Sequence, residues 1–411
     1  MKIYQFLRGG AVCAAALLTA SFAVLNSYAE EESEEEQEIP VYTSGDFTYS
    51  ILKNEDDENE RAACLESYTG SEEELTVPSE LDGLSVVRLG ERAFVQADYL
   101  KKITLPKTVT ELGDYSFAES LHIEEYIVEE GNPVLSAEDG VLYSNDGAVL
   151  QRYPLGTNPA DVTVPEGVIA IGNVAFAESP TLKTVTLPES LTYIGVSAFS
   201  GCNEMTEITI PDAVTEIDAF AFNSCTNLKT VKLPAELLSI GAASFSMTAI
   251  ENITLPDKLM VIGQQAFIST PMKEITIPGS VSEMNYASVG WEMTPSGMAA
   301  KKDFIIYGYA NTTAEEYASD EELENSFQFS ELSMPAASES SDDAESSAAE
   351  AESAASEESA ADTETIGEEK DTVHPGKVIG ISACGAAILG IIAAAAFSGK
   401  KKSNKEKKDD A

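Results

Sequence analysis

Histidine is nearly absent, with only His122 and His374 in 411 residues. There is no HExxH motif, no Cys/His pair at zinc spacing and no GxxxxGK[ST] loop. Zinc and P-loop chemistry therefore have no signature here. Five cysteines are too few for a disulfide framework. Cys13 and Cys384 lie in apolar runs near the two ends, and Cys64 has no neighbouring His to activate it. Cations are scarce, 25 Lys and Arg against 70 Asp and Glu, for a net charge of −45. An acidic exterior of this kind repels nucleic acid. Carboxylates are abundant, yet no D-x-D-x-D-G calcium loop occurs. No catalytic residue, metal or cofactor is expected.

What the chain does have is proline in regular places. Eight apolar strand-like runs end at Pro78, Pro106, Pro165, Pro188, Pro211, Pro234, Pro256 and Pro278. From Pro165 onward the gaps are 23, 23, 23, 22 and 22 residues. Self-similarity at this period predicts a β-rich solenoid, a stack of coils sharing one core. In one unit, Val185 and Leu187 alternate with Thr184 and Thr186, the period of a half-buried strand. Pro188 ends it, because proline cannot donate to a ladder. Leu191 and Ile194 then turn inward, Gly195 lets the chain bend, and Ala198 and Phe199 fill the far side. Phe94, Phe117, Phe176, Phe199, Phe222, Phe245 and Phe267 are expected to stack into one continuous spine.

Two features of the repeat point outward or sideways. The exposed residue of each strand is Thr76, Thr104, Thr163, Thr186, Thr209, Lys232, Thr254 or Thr276. Stacking aligns them in a row, with Lys183, Glu207, Lys229 and Glu274 beside it. Threonine suits a solvated strand; the row is also a candidate face for a protein or glycan. Cys202 and Cys225 are one repeat apart. Adjacent strands lie about 4.8 Å apart, so the pair forms either a disulfide or a ladder of stacked thiols.

The period fails between Pro106 and Pro165. There Asp146-Gly147 separates two β-rich runs, a hairpin signal. The expectation is a degenerate repeat carrying a projecting hairpin at 129–161. Phe47 to Ile51 has the pattern of an N-terminal cap strand, and Phe304 to Ala318 that of a last strand with a short closing helix.

The repeats resemble the BspA-type bacterial surface leucine-rich repeats. The likeness rests on the strand-Pro, Ile-Gly, Ala-Phe, Gly-Cys order, on Asn132-Pro133 through Tyr153-Pro154, and on Tyr307-Gly-Tyr-Ala followed by Thr313-Ala-Glu-Glu-Tyr-Ala. It implies cell-surface adhesion or binding to host or matrix proteins. It implies no catalytic residues.

The ends frame the solenoid. Residues 1–29 have the basic start, apolar run and Ser27-Tyr28-Ala29 site of a signal peptide. Residues 30–46 form an acidic segment, and the solenoid with its caps is expected at 47–319. Residues 320–377 suggest an acidic Ser/Ala/Glu stalk too poor in apolar groups to fold. Residues 378–397 are 20 uncharged positions, enough to span a bilayer. The lysines of 398–411 place that tail inside the cell. No LPxTG precedes the span; Leu105-Pro-Lys-Thr108 lies inside a repeat strand and is followed by Val109. The expected protein is a single-span surface protein with its ectodomain outside. It either binds an extracellular protein or glycan partner or acts as a structural spacer.

Overall fold

A computed structural model describes residues 40–53, 61–95, 97–320 and 327–333. The chain divides into two units, Met1–Ser333 and Met334–Ala411, and the second lies wholly outside the described residues. So do the expected signal peptide, membrane span and basic tail. Among the described residues no helix is long and apolar enough to cross a membrane.

The first unit is a β-solenoid with a coil spacing of about 23 residues. The regular coils have two short strands, except that the coil of Thr254 has only the second. The first bears the outward threonine; strand Asp161–Thr163 pairs in parallel with Thr184–Thr186, and Glu207–Thr209 with Thr230–Lys232. The second ends in the Ile of Ile-Gly. Its ladder runs Leu150, Ile171, Ile194, Ile217, Ile240, Ile262 and Met284 as successive register partners. A third side is closed by single backbone bonds, such as Phe199 N–H to Ala221 O at 2.8 Å and Phe222 N–H to Ser244 O at 2.8 Å. Three rows of inter-coil bonds enclose the apolar side chains of the regular coils, so each coil is completed by its neighbours.

Proline does more than stop the first strand. The carbonyl of Pro188 accepts from Leu191 N–H at 3.1 Å, and the same turn recurs at Pro106, Pro165, Pro211, Pro234, Pro256 and Pro278. It turns the chain toward the second strand. The reason for Gly195 also differs from a bend. The left-handed residue is Ser197, two positions on, at φ +55°. Val174, Phe220, Ala243, Gln265 and Ala287 hold the same place at φ between +51° and +59°. At Gly195 itself an added Cβ would sit 2.9 Å from Asn173 N and 3.0 Å from Gly172 C. Gly241 and Gly263 are tighter, at 2.6 Å from the backbone of the preceding coil. These glycines let neighbouring coils touch.

The Phe spine is not continuous. Rings 176, 199, 222, 245 and 267 stack at centroid distances of 5.1 to 5.5 Å with tilts of 11° or less. Phe94 and Phe117 form a separate stack at 5.3 Å. Phe117 then meets Tyr126 edge-on, and Tyr153 takes over as the first ring against Phe176. The buried side chains accordingly form two clusters, one from Tyr49 to Leu142 and one from Val141 to Phe327.

The insert causes that break, and it does not project. Strands Leu135–Glu138, Val141–Ser144 and Val149–Arg152 form an antiparallel meander. The last of them pairs in parallel with Ala170–Ile171 and so starts the long second-strand ladder. Asp146 sits in the turn: its carboxylate accepts from Ser144 Oγ at 2.6 Å and from Ala148 N–H at 3.1 Å. The hairpin is held in the sheet because Leu142 and Leu150 are apolar and buried. A second hairpin, Trp291–Thr294 with Gly297–Ala300, forms its own two-stranded sheet and packs Trp291 into the core. Thr294-Pro-Ser-Gly297 is its turn signal.

Both ends reach further than the repeat suggests. Val41–Ser44 is already a strand, antiparallel to Phe47–Lys53, so the cap begins ahead of residue 47. After the helix Thr313–Ala318, strand Gln328–Glu331 pairs in parallel with Ile305–Gly308. Phe327 is buried against Phe304 and Tyr317. The solenoid thus extends past residue 320 to Glu331, because one apolar Phe-Gln-Phe sits within an otherwise polar stretch.

Candidate ligand-binding face

The first strands present two outward columns separated by a buried residue. In Thr184–Thr186 the outer two side chains are exposed and Val185 is buried. Thr163 and Thr186 are register partners, as are Thr209 and Lys232. Thr254 is exposed but lies outside an assigned strand, and Thr276 is exposed and pairs with Tyr307. The row therefore continues onto Tyr307 and Ser330, beyond the last expected member. In the other direction it fades. Thr76 pairs with Thr104, but Thr104 is half-buried and its next partner is Ile127.

The neighbouring column carries charge, and its two halves differ. Before the insert, Glu74, Lys102 and Glu125 are successive register partners. Lys102 pairs with Glu125 at 2.7 Å and Lys101 with Glu73 at 2.8 Å, which raises both lysine pKa values through hydrogen bonds to those carboxylates. After the insert, Lys183, Lys229, Lys232 and Lys273 are exposed, and none forms an ion pair among the described residues. Asp161 instead accepts from Thr184 Oγ1 at 2.5 Å.

Cys202 and Cys225 are fully buried free thiols on adjacent coils. Each donates to the carbonyl of a Phe one coil earlier: Cys202 Sγ to Phe176 O at 3.2 Å and Cys225 Sγ to Phe199 O at 3.0 Å. Burial, reinforced by the neighbouring Cys225, pushes the Cys202 pKa well up. Cys64 is likewise buried, and its pKa is pushed up to about 12 by burial and by Glu66. Neither Cys64 nor Cys202 has the depressed pKa of a nucleophilic thiol. Among the described residues no group of three His, Cys, Asp or Glu could hold a metal ion.

Arg152 had no signal in the sequence. It is 94% buried, being 6% exposed. Its guanidinium donates to the carbonyls of Gln151 at 2.6 Å and Asn173 at 2.5 Å, and to that of Asp114. Asp114 belongs to the coil before the insert and Asn173 to the coil after it. A cation holding carbonyls from both sides spans the break between the two cores. Burial lowers its pKa, though an arginine stays charged.

The model of the BspA-type leucine-rich repeat region matches residues 67–145 and 160–289, in six copies. The chain belongs to this family. A leucine-rich repeat protein from Bacteroides ovatus is similar over 65% of this chain and 70% of its own, at 20% identity and a TM-score of 0.37. The pneumococcal vaccine antigen PcpA is similar over 72% of this chain and 99% of its own, at 14% identity and a TM-score of 0.41. A leucine-rich cell surface protein from Faecalibacterium prausnitzii is similar over 71% and 95%, at 20% identity and a TM-score of 0.29. No curated protein matches the chain.

Proposed function

We propose that this protein is a cell-surface recognition or adhesion protein that binds an extracellular partner through the first-strand face of its solenoid. The observation carrying this reading is the exposed row Thr163, Thr186, Thr209, Lys232, Thr254 and Thr276. It is held on a rigid stack whose interior is filled by stacked rings. Family membership supports a surface role. On this reading residues 1–29 direct export, 334–377 hold the solenoid away from the cell, and 378–397 anchor it. The stalk would reach roughly 145 Å if fully extended and about 35 Å as a coil.

The test is attachment of cells displaying the full chain to immobilised extracellular-matrix proteins and to a glycan array. Changing Thr186, Thr209 and Thr254 together to Glu should abolish attachment without altering surface display. Unchanged attachment, or none by the parent chain, would leave the protein a spacer.

A further inference from the structure

Between residues 160 and 290 the sequence has 14 carboxylates and five lysines, with no Arg or His. Their placement is uneven. Four of the lysines, Lys183, Lys229, Lys232 and Lys273, lie on or immediately before a first strand and are exposed. The fifth, Lys258, lies off this face and pairs with Glu236 at 2.5 Å. Four carboxylates share the first-strand face: Asp161, Glu207, Glu251 and Glu274. The face is therefore neutral, whereas the remaining surface of these coils carries ten carboxylates and one lysine. An anion approaching these coils is repelled from every side except this one.

The chemistry of the face limits what the anion can be. Among the described residues, the strongly exposed large apolar side chains are Val41, Tyr42, Tyr99, Ile169, Leu238, Met260 and Met293, and none lies here. Protein interfaces centre on buried aromatic or apolar anchors, and this face offers none between Asp161 and Thr276. It offers ammonium groups without carboxylate partners and exposed hydroxyls on successive coils, those of Thr163 and Thr186 in register, at the strand spacing of about 4.8 Å. Those groups suit a chain whose own recognition groups are sulfates, carboxylates and hydroxyls.

Resting on the recognition role proposed above, we propose that the first-strand face from Asp161 to Thr276 binds an anionic polysaccharide, with Lys183, Lys229, Lys232 and Lys273 taking its sulfate or carboxylate groups and Thr186 and Thr209 its hydroxyls. Binding is electrostatic and weakens as salt rises. The full chain is titrated with heparin, polygalacturonate, neutral dextran and polyglutamate across a range of salt. Expected are binding to either anionic polysaccharide and none to dextran. Lys229→Ala with Lys232→Ala should weaken binding at least tenfold, and each lysine removed should lower the salt slope by about one. Lys258→Ala should change nothing. All of these positions are exposed, and circular dichroism checks that the variants fold. The proposal is overturned if neither polysaccharide binds, if Lys258→Ala weakens binding as much as the double variant, or if polyglutamate binds more tightly, which would favour an acidic protein. If it fails while Thr186, Thr209 and Thr254 to Glu still abolishes cell attachment, the recognition role stands and only the polysaccharide falls.

Discussion

The coils before the insert and the coils after it are built from one repeat but held together differently. Before the insert, two Phe rings stack, and Arg88, Arg92, Lys101 and Lys102 all form surface ion pairs. After it, five Phe rings stack in unbroken order, and Lys258–Glu236 is the single ion pair among the described residues. Exposed ion pairs each contribute only about 0–1 kcal/mol, whereas burying a Phe contributes about 2–3 kcal/mol. The comparison teaches that the ring ladder makes the coils uniform. Where it stops, the chain joins unlike pieces with Arg152.

The largest expected effect comes from breaking the ladder in its middle. Phe222→Ala should cost about 3–5 kcal/mol, measured as a shift in the urea midpoint. Phe117, which is 5% exposed and ends its stack, should cost less on the same change. Equal costs would mean that the two halves share one mechanism after all.

Next comes the join. Arg152→Met fills similar space but leaves the carbonyls of Asp114, Gln151 and Asn173 without this donor. Unpaired buried groups cost about 1–3 kcal/mol, and hydrogen exchange should show the N-terminal coils opening separately from the rest. Uniform exchange across residues 61–290 would contradict a seam at Arg152.

Coil contact gives a smaller effect. Gly241→Ala places a Cβ 2.6 Å from Ala219 N and Asp218 C, and overpacking of this kind costs about 1–3 kcal/mol. Gly195 has looser backbone neighbours and should tolerate alanine better. An unchanged melting temperature for Gly241→Ala would show that the coils can move apart freely.

The smallest effect is in pH dependence. Burial, and then the charge of Glu119, raises the Glu178 pKa. A raised carboxylate favours the folded state while protonated. Its contribution is complete below the ordinary Glu value and is lost as pH rises through the folded value. Glu178→Gln should therefore leave acid stability unchanged and raise stability modestly at neutral pH. A loss at pH 7 would reverse the sign of this assignment.

Much of the fold was legible because the repeat writes the same physics many times. Pro188, Ile194 and Phe199 have counterparts in every regular coil, and strand phase follows from them. Elements present once were harder to place. Gln328–Glu331 pairs because a single Phe-Gln-Phe can close the end of the sheet, yet a three-residue signal inside a polar stretch has no period to announce it. Asp146-Gly147 marked a hairpin correctly but could not say whether it would stand out or join a sheet. That depended on Leu142 and Leu150 finding a neighbouring coil. Arg152 is a cation whose partners are backbone carbonyls from distant coils, and backbone carries no sequence signature. On the candidate face the threonine row was visible. The pairing of lysines before the insert, and its absence after it, needed the spatial register.

The left-handed column leaves a further consequence. Val174, Ser197, Phe220, Ala243, Gln265 and Ala287 each hold a backbone that disfavours side chains, at roughly 1–2 kcal/mol per residue. None of the six is glycine, so the regular half carries this strain in six coils and still closes. Glycine at the half-buried Gln265 would relieve part of it without disturbing a ring, a ladder or the threonine face. The solenoid thus holds reserve stability at positions remote from its proposed binding surface, where an engineer could raise the melting temperature and leave recognition untouched.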